Sequence, residues 1–216
     1  MKAQGVALVT GLVILAAISL LAITAAGGMT LQRHQAANFQ DRVRARSAAD
    51  TAQRAALAWL YSRPDSDRQS ECSTACFLPE AIYSDGAIPS QAEFLSAAWW
   101  TDHATPADRH PVSGDPIELG TTTGSPAAWI IQEVYFEAID PGGNEYGIEG
   151  IGYYRVLSRG TGRQANTVAV SESLVARPWR GAYDTATYPP EAALQAFCEP
   201  FNDKLPCGIQ AWRVLR

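Results

Sequence analysis

Hydrophobic and polar positions divide the chain into three regimes. From Val6 through Gly28 no side chain is charged. A helix rising about 1.5 Å per residue covers roughly 35 Å over that run, enough to cross a bilayer. A secretory signal has a similar composition, but its apolar core is only about 7 to 15 residues and ends in a small-residue cleavage site. Here the run is longer and leads into a second regime without a turn. Leu31, Phe39, Val43, Ala48, Ala49, Ala52, Ala56, Trp59 and Leu60 continue at helical spacing, with no proline before Pro64. The pattern predicts one long helix, its membrane half over 6–28 and its amphipathic, alanine-rich half over 29–63, stopped at Arg63-Pro64. A coiled-coil stalk is the alternative for the second half, but the apolar positions hold no strict heptad.

The third regime is mixed. Residues 64–126 are rich in Pro, Ser, Asp, Thr and Gly and read as irregular, with one helix around Ser90 to Trp100, capped by Ser90 with Glu93 at the third helical position. The pair Trp99-Trp100 must bury at least one ring, so this segment is expected to pack. Residues 127–216 carry the strand signals. Ala127 to Ile139, Tyr146 to Ser158 and Thr167 to Arg177 are rich in β-formers. The turns between them are Asp140-Pro141-Gly142-Gly143-Asn144 and Arg159-Gly160-Thr161-Gly162-Arg163. Three strands in series with short turns predict an antiparallel meander. Alternation through Val168, Val170 and Ser171 to Val175 predicts one face on the core, covered by the long helix. The tail from Pro178 reads as loop, with a helical piece at Glu191 to Phe197 and a last strand at Ile209 to Leu215. The fold class expected is α+β.

Composition narrows the function. With 216 residues, one soluble domain beyond the membrane half is the natural expectation. Seventeen Lys plus Arg against 22 Asp plus Glu leave no concentrated basic face, which argues against nucleic acid as an obligate partner. Nothing assembles a catalytic set. There is no Gly-x-Ser-x-Gly elbow, His-Glu-x-x-His pair or phosphate loop, and no cofactor is expected. His34, His103 and His110 are scattered. His103 and His110 flank Asp102 and Asp108, so a metal or hydrolytic site there is the sharper alternative to surface-loop residues. Asp140 through Asn144 and Glu145 offer oxygens for calcium, but a tight turn explains the same residues more simply.

The junction Gln4-Gly5-Val6-Ala7-Leu8, after a short leader carrying Lys2, resembles the cleavage signal of type IV pilins and pseudopilins. Gln4-Gly5-Val6-Ala7-Leu8-Val9, Ala37-Asn38-Phe39-Gln40-Asp41-Arg42, Ser47-Ala48-Ala49-Asp50 with Ala55-Ala56-Leu57, and Tyr154-Arg155-Val156-Leu157-Ser158-Arg159-Gly160-Thr161-Gly162 are similar to the PilX-type minor pilins. The resemblance implies the type IV pilin fold: a long helix packed on a small antiparallel sheet, with a disulfide-bounded carboxyl-terminal loop. It implies a cytoplasmic leader over 1–5, cleavage between Gly5 and Val6 by a prepilin peptidase, and N-methylation of Val6. It assigns subunit-specific loops to 64–126 and the sheet with its terminal loop to 127–216. Major pilins carry glutamate at the fifth mature position, where it pairs with a neighbour's terminal amine. This chain has Thr10 there. A carboxylate in the bilayer is costly without a partner, whereas a threonine can bond back to its own helix. Relatives that lack the glutamate are held to sit at the tip, and the same place is implied for this chain.

The implied partners are other minor pilins, the major pilin, a tip adhesin and the inner-membrane assembly machinery. A single-pass inner-membrane protein with a periplasmic carboxyl-terminal domain, later at the pilus tip, is the expected location. Counting Arg33, Arg42, Arg44 and Arg46 against Lys2 favours the reverse orientation. Cys72, Cys76, Cys198 and Cys207 favour export, since two close pairs in an otherwise cysteine-free chain suit an oxidising compartment. Cys198 and Cys207 resemble the pilin terminal-loop disulfide. Cys72 and Cys76 are near enough to bridge across a turn. A four-cysteine zinc site is the competitor. Competing functions are a type II secretion pseudopilin, whose tip member carries an inserted domain too large for this length, and a membrane-anchored periplasmic enzyme or binding protein.

Overall fold

The structure, a computed structural model, describes residues 4–63, 82–83, 86–111, 113–116, 127–180, 197–201 and 204–216. It divides into two compact units, Met1–Asp41 and Arg42–Arg216. One helix, α1 (Gln4–Ser62), runs through the boundary between them. In the first unit the helix carries its large aliphatic side chains outward. Leu8, Leu12, Leu15, Ile18, Leu21 and Ile23 are all exposed. The Ser19 hydroxyl donates to the Leu15 carbonyl at 2.8 Å, so a polar group in this stretch is satisfied within the helix.

In the second unit α1 becomes a buried element. Ala45, Ala48, Ala49, Ala52, Ala55 and Ala56 are at most 2 % exposed, and Trp59 and Leu60 are fully buried. They lie on a sheet of β1 (Ile82–Tyr83), β2 (Thr105–Pro106), β3 (Ala127–Ala138), β4 (Ile148–Thr161), β5 (Val168–Arg180) and β6 (Gly208–Val214). The order is β1-β3-β4-β5-β6, with β2 also on β3. Strands β3 to β6 form the expected antiparallel ladder. The two short strands pair with β3, β1 in parallel and β2 antiparallel.

The register separates the two faces. Trp129, Ile131, Tyr154, Val156, Val175 and Trp179 join the helix core. Ile130, Leu157 and Val170 point the other way and are covered by Ile88, Ala92 and Trp100. This corrects the expectation of a single buried face. Val168 and Val170 face the second layer, while the residues of β5 beneath the helix are Ala169, Ser171 and Ser173, each buried. Small residues lie there because an alanine-lined helix brings its backbone close.

That closeness also corrects the second turn. Arg159, Gly160 and Thr161 continue β4, and the reversal comes at Gly162, whose N–H donates to the Thr167 carbonyl at 2.7 Å. Gly160 is a strand residue because α1 passes over it. A Cβ there would meet the Ala45 carbonyl oxygen at 2.2 Å and the Ala49 nitrogen at 2.3 Å. Pro178 ends nothing, since β5 runs to Arg180, and past the Ala176–Gly208 pair its one strand partner among the described residues is β4. The helix expected over Ser90 to Trp100 is instead a short 3-10 turn, Ala92–Phe94, followed by α2 (Ala97–His103). Ser96, not Ser90, caps α2, its hydroxyl accepting the Trp99 N–H at 3.2 Å. Trp100 is the buried ring, its indole N–H donating to the Ala92 carbonyl at 3.1 Å. The first hairpin turn is as expected. Asp140 accepts the Gly142 N–H, and the Asn144 side chain bonds the Tyr146 and Ile148 N–H groups and the Asp140 and Ile148 carbonyls. The Asn144 amide is bonded within the turn, and Glu145 is paired to Lys204. Of the expected helical piece at Glu191 to Phe197, only Phe197 lies within the described residues, where a single turn continues into Glu199–Phe201.

Candidate assembly helix and its clamp

Two features of α1 carry the chemistry expected of the chain. At its start Gly5 and Val6 lie in the first turns of the helix and Thr10 lies on its exposed surface. The apolar stretch that follows is long enough to cross a membrane, and none of it is buried in the protein.

At the other end α1 finishes among orphan carbonyls, as every helix does. Arg177 of β5, fully buried, donates through Nη1 to the Leu60 carbonyl at 2.9 Å and through Nη2 to the Arg63 carbonyl at 2.5 Å. Its guanidinium stacks 3.5 Å from the Trp179 ring centroid. A cation at a helix C-terminus also complements the macrodipole. Arg63 lies over Trp59 at 3.4 Å.

Between those two residues, the Tyr61 hydroxyl donates to the Ala176 carbonyl at 2.9 Å and accepts the Gly208 N–H at 3.0 Å. Burial pushes this hydroxyl well above the ordinary tyrosine range, against smaller opposing effects of the Gly208 bond and the Arg177 charge. It is therefore a neutral hydrogen-bond bridge at any physiological pH. Gly208 has φ +83°, a left-handed backbone that glycine adopts without strain. It directly follows Cys207, which is bonded to Cys198. Helix end, disulfide loop and the start of β6 thus meet at one tyrosine.

Of the cysteines expected to pair, Cys198 and Cys207 do so, and Cys72 and Cys76 lie outside the described residues. The histidines are not brought together. His103 stacks on Trp99 at 4.5 Å, and His110 packs edge-on to Trp59 at 5.2 Å and accepts the Ser113 N–H. Among the described residues no three His, Cys, Asp or Glu side chains are placed to share a metal ion. Sequence reasoning missed Arg177, Tyr61 and Gly160. Their signals were a charge at a core position of a strand and a glycine inside a run of β-formers.

Residues 4–54 match the family model described as PilX N-terminal. Over that stretch the chain is similar to the PilX-type minor pilins. The match begins at the Gln4-Gly5-Val6 junction and ends inside α1, so the sheet, the clamp and the second layer stand on this chain's own geometry. No curated protein and no solved structure matches the chain. PilX-type pilins are structural components that associate with other parts of the type IV pilus. The long apolar helix near the amino terminus is what a membrane-anchored pilin requires.

Proposed function

We propose that this pilin is cut between Gly5 and Val6, methylated on Val6, and used to prime a pilus at whose tip it sits. Its partners there are other minor pilins, the major pilin, a tip adhesin, the prepilin peptidase and the inner-membrane assembly machinery. The domain lies in the periplasm until assembly. The observation that carries the tip assignment is Thr10 at the fifth position after Gly5. A subunit with no predecessor meets no terminal amine, and a lone carboxylate in the bilayer would be a net cost. Because Gly5 and Val6 lie within α1, cleavage requires the helix to open there. Glycine at the scissile bond eases that, being about 1 kcal/mol poorer than alanine in a helix.

The test is to count and measure surface fibres with retraction disabled. Deletion of the gene is expected to reduce fibre number much more than fibre length, and Thr10→Glu to give no gain in fibres. Shorter fibres at unchanged number would place the subunit along the shaft instead.

A further inference from the structure

Strand β6 borders the sheet, with β5 on one side and, among the described residues, no strand on the other. Natural sheets blunt such edges with lysine, proline, bulges or very short strands. Gly208–Val214 has neither lysine nor proline and is seven residues long. Its register shift falls between Ile209 and Ala211, which leaves 211–214 in a plain ladder.

The side chains on this edge are sorted by face. Ile209, Trp212 and Val214 stand opposite Val175, Ser173 and Ser171 on the side where α1 packs, yet they remain 48 %, 54 % and 42 % exposed. Arg213 stands opposite Glu172 on the other side, where Arg155 also binds Glu172. Arg216 exchanges main-chain bonds with Val170, its N–H donating to the Val170 carbonyl and its carbonyl accepting the Val170 N–H, and Val170 stands opposite Arg159 on β4. Four arginines therefore share this face, and the acid they surround, Glu172, is already bonded to two of them.

A second copy's β6 is a poor complement, because it brings a second set of the same arginines to this edge and no acidic side chain to meet them. We propose that β6 is a docking edge that takes an extended segment of another protein by strand addition, with acidic side chains toward Arg213 and Arg216 and apolar ones against Ile209, Trp212 and Val214. Main-chain bonds supply affinity and the arginines supply selection. The inference does not depend on where in the fibre the subunit stands.

The test uses the full chain in neutral detergent and two short synthetic peptides, one alternating valine with glutamate and one alternating valine with lysine. Amide hydrogen exchange is read across Gly208–Val214. The glutamate peptide is expected to slow exchange there and to bind about tenfold more tightly than the lysine peptide, a difference of about 1.4 kcal/mol. The double variant Arg213→Glu with Arg216→Glu should invert that preference. Arg216→Glu alone, which leaves the Arg213–Glu172 pair intact, should still weaken binding of the glutamate peptide. Equal binding of both peptides, or no protection of β6 by either, overturns the proposal. So does protection by anionic lipid vesicles without peptide, which would assign the edge to a membrane. Concentration-dependent protection of the protein alone would assign it to a second copy and overturn the proposal equally.

Discussion

The two faces of this sheet are closed in opposite ways. On one, the stretch of α1 from Ala45 to Ala49 lies so near that alanine meets glycine, alanine and serine, and at Gly160 backbone meets backbone with no room for a methyl group, while toward the end of the helix Trp59, Trp129, Tyr154 and Trp179 fill the space. On the other, a short segment with little regular structure fills the space with one large ring, Trp100, resting on Ile130, Leu157 and Val170. The first closure fixes the axial and rotational position of the helix, because close packing admits one register. The second fixes volume alone, and many side-chain sets can do that.

The largest expected effect comes from emptying the tolerant face. Trp100→Ala removes a buried ring and its bond to the Ala92 carbonyl and should destabilise by about 3–5 kcal/mol in thermal unfolding. Trp100→Phe should recover a good part of that loss, since volume is what this face demands. Gly160→Ala should cost about 1–3 kcal/mol by overpacking, and Ala48→Gly should not rescue it, because the nearest obstacles are the Ala45 and Ala49 backbone atoms rather than the Ala48 methyl group. Rescue of Gly160→Ala by Ala48→Gly, or loss on Trp100→Phe equal to that on Trp100→Ala, would erase the distinction between the faces. Tyr61→Phe tests the clamp that ends the close-packed face. It strands the Gly208 N–H and the Ala176 carbonyl and should cost about 1–3 kcal/mol, with faster amide exchange at Gly208 as the local signature.

The smallest effect lies outside both faces, at the exposed Lys204–Glu145 pair. The Lys204 hydrogen bond, followed by one from Tyr146 and the Lys204 charge, holds the Glu145 carboxyl below its usual range. A depressed carboxylate contributes above its unfolded pKa and loses that contribution as the pH falls through the folded one. Glu145→Gln should therefore leave stability nearly unchanged near pH 7 and slightly flatten its decline below the ordinary glutamate value of about 4.5.

The contrast between the faces also accounts for what the sequence could disclose. The helix was legible almost to the residue, because an uncharged run, an alanine stripe and Arg63-Pro64 are local signals. Strands β3 to β6 were legible to within a few residues for the same reason. Gly160 misled because glycine between Arg159 and Thr161 looks the same whether it makes a turn or admits another backbone, and α1 is more than a hundred positions away in sequence. Val168 and Val170 revealed that a face was buried, but not against what. Ser90 was read as the cap, but the helix that buries Trp100 starts later, after Ser96. Of the candidate site, Gly5, Val6 and Thr10 were legible as a motif, and Cys198 with Cys207 as a loop. Arg177 showed only as a charge at a core position of a strand and Tyr61 not at all, because a clamp assembled from β5, β6 and the end of α1 is written whole in none of them.

The most direct measurement of the central claim is the mass of the amino terminus of the protein recovered from its own membranes. The account predicts a chain that begins at Val6 and carries one methyl group on its amine, with Gly5→Val leaving the leader in place. A chain that begins at Met1, or one cut elsewhere along the apolar run, would contradict it and leave a membrane-anchored protein that is not processed as a pilin.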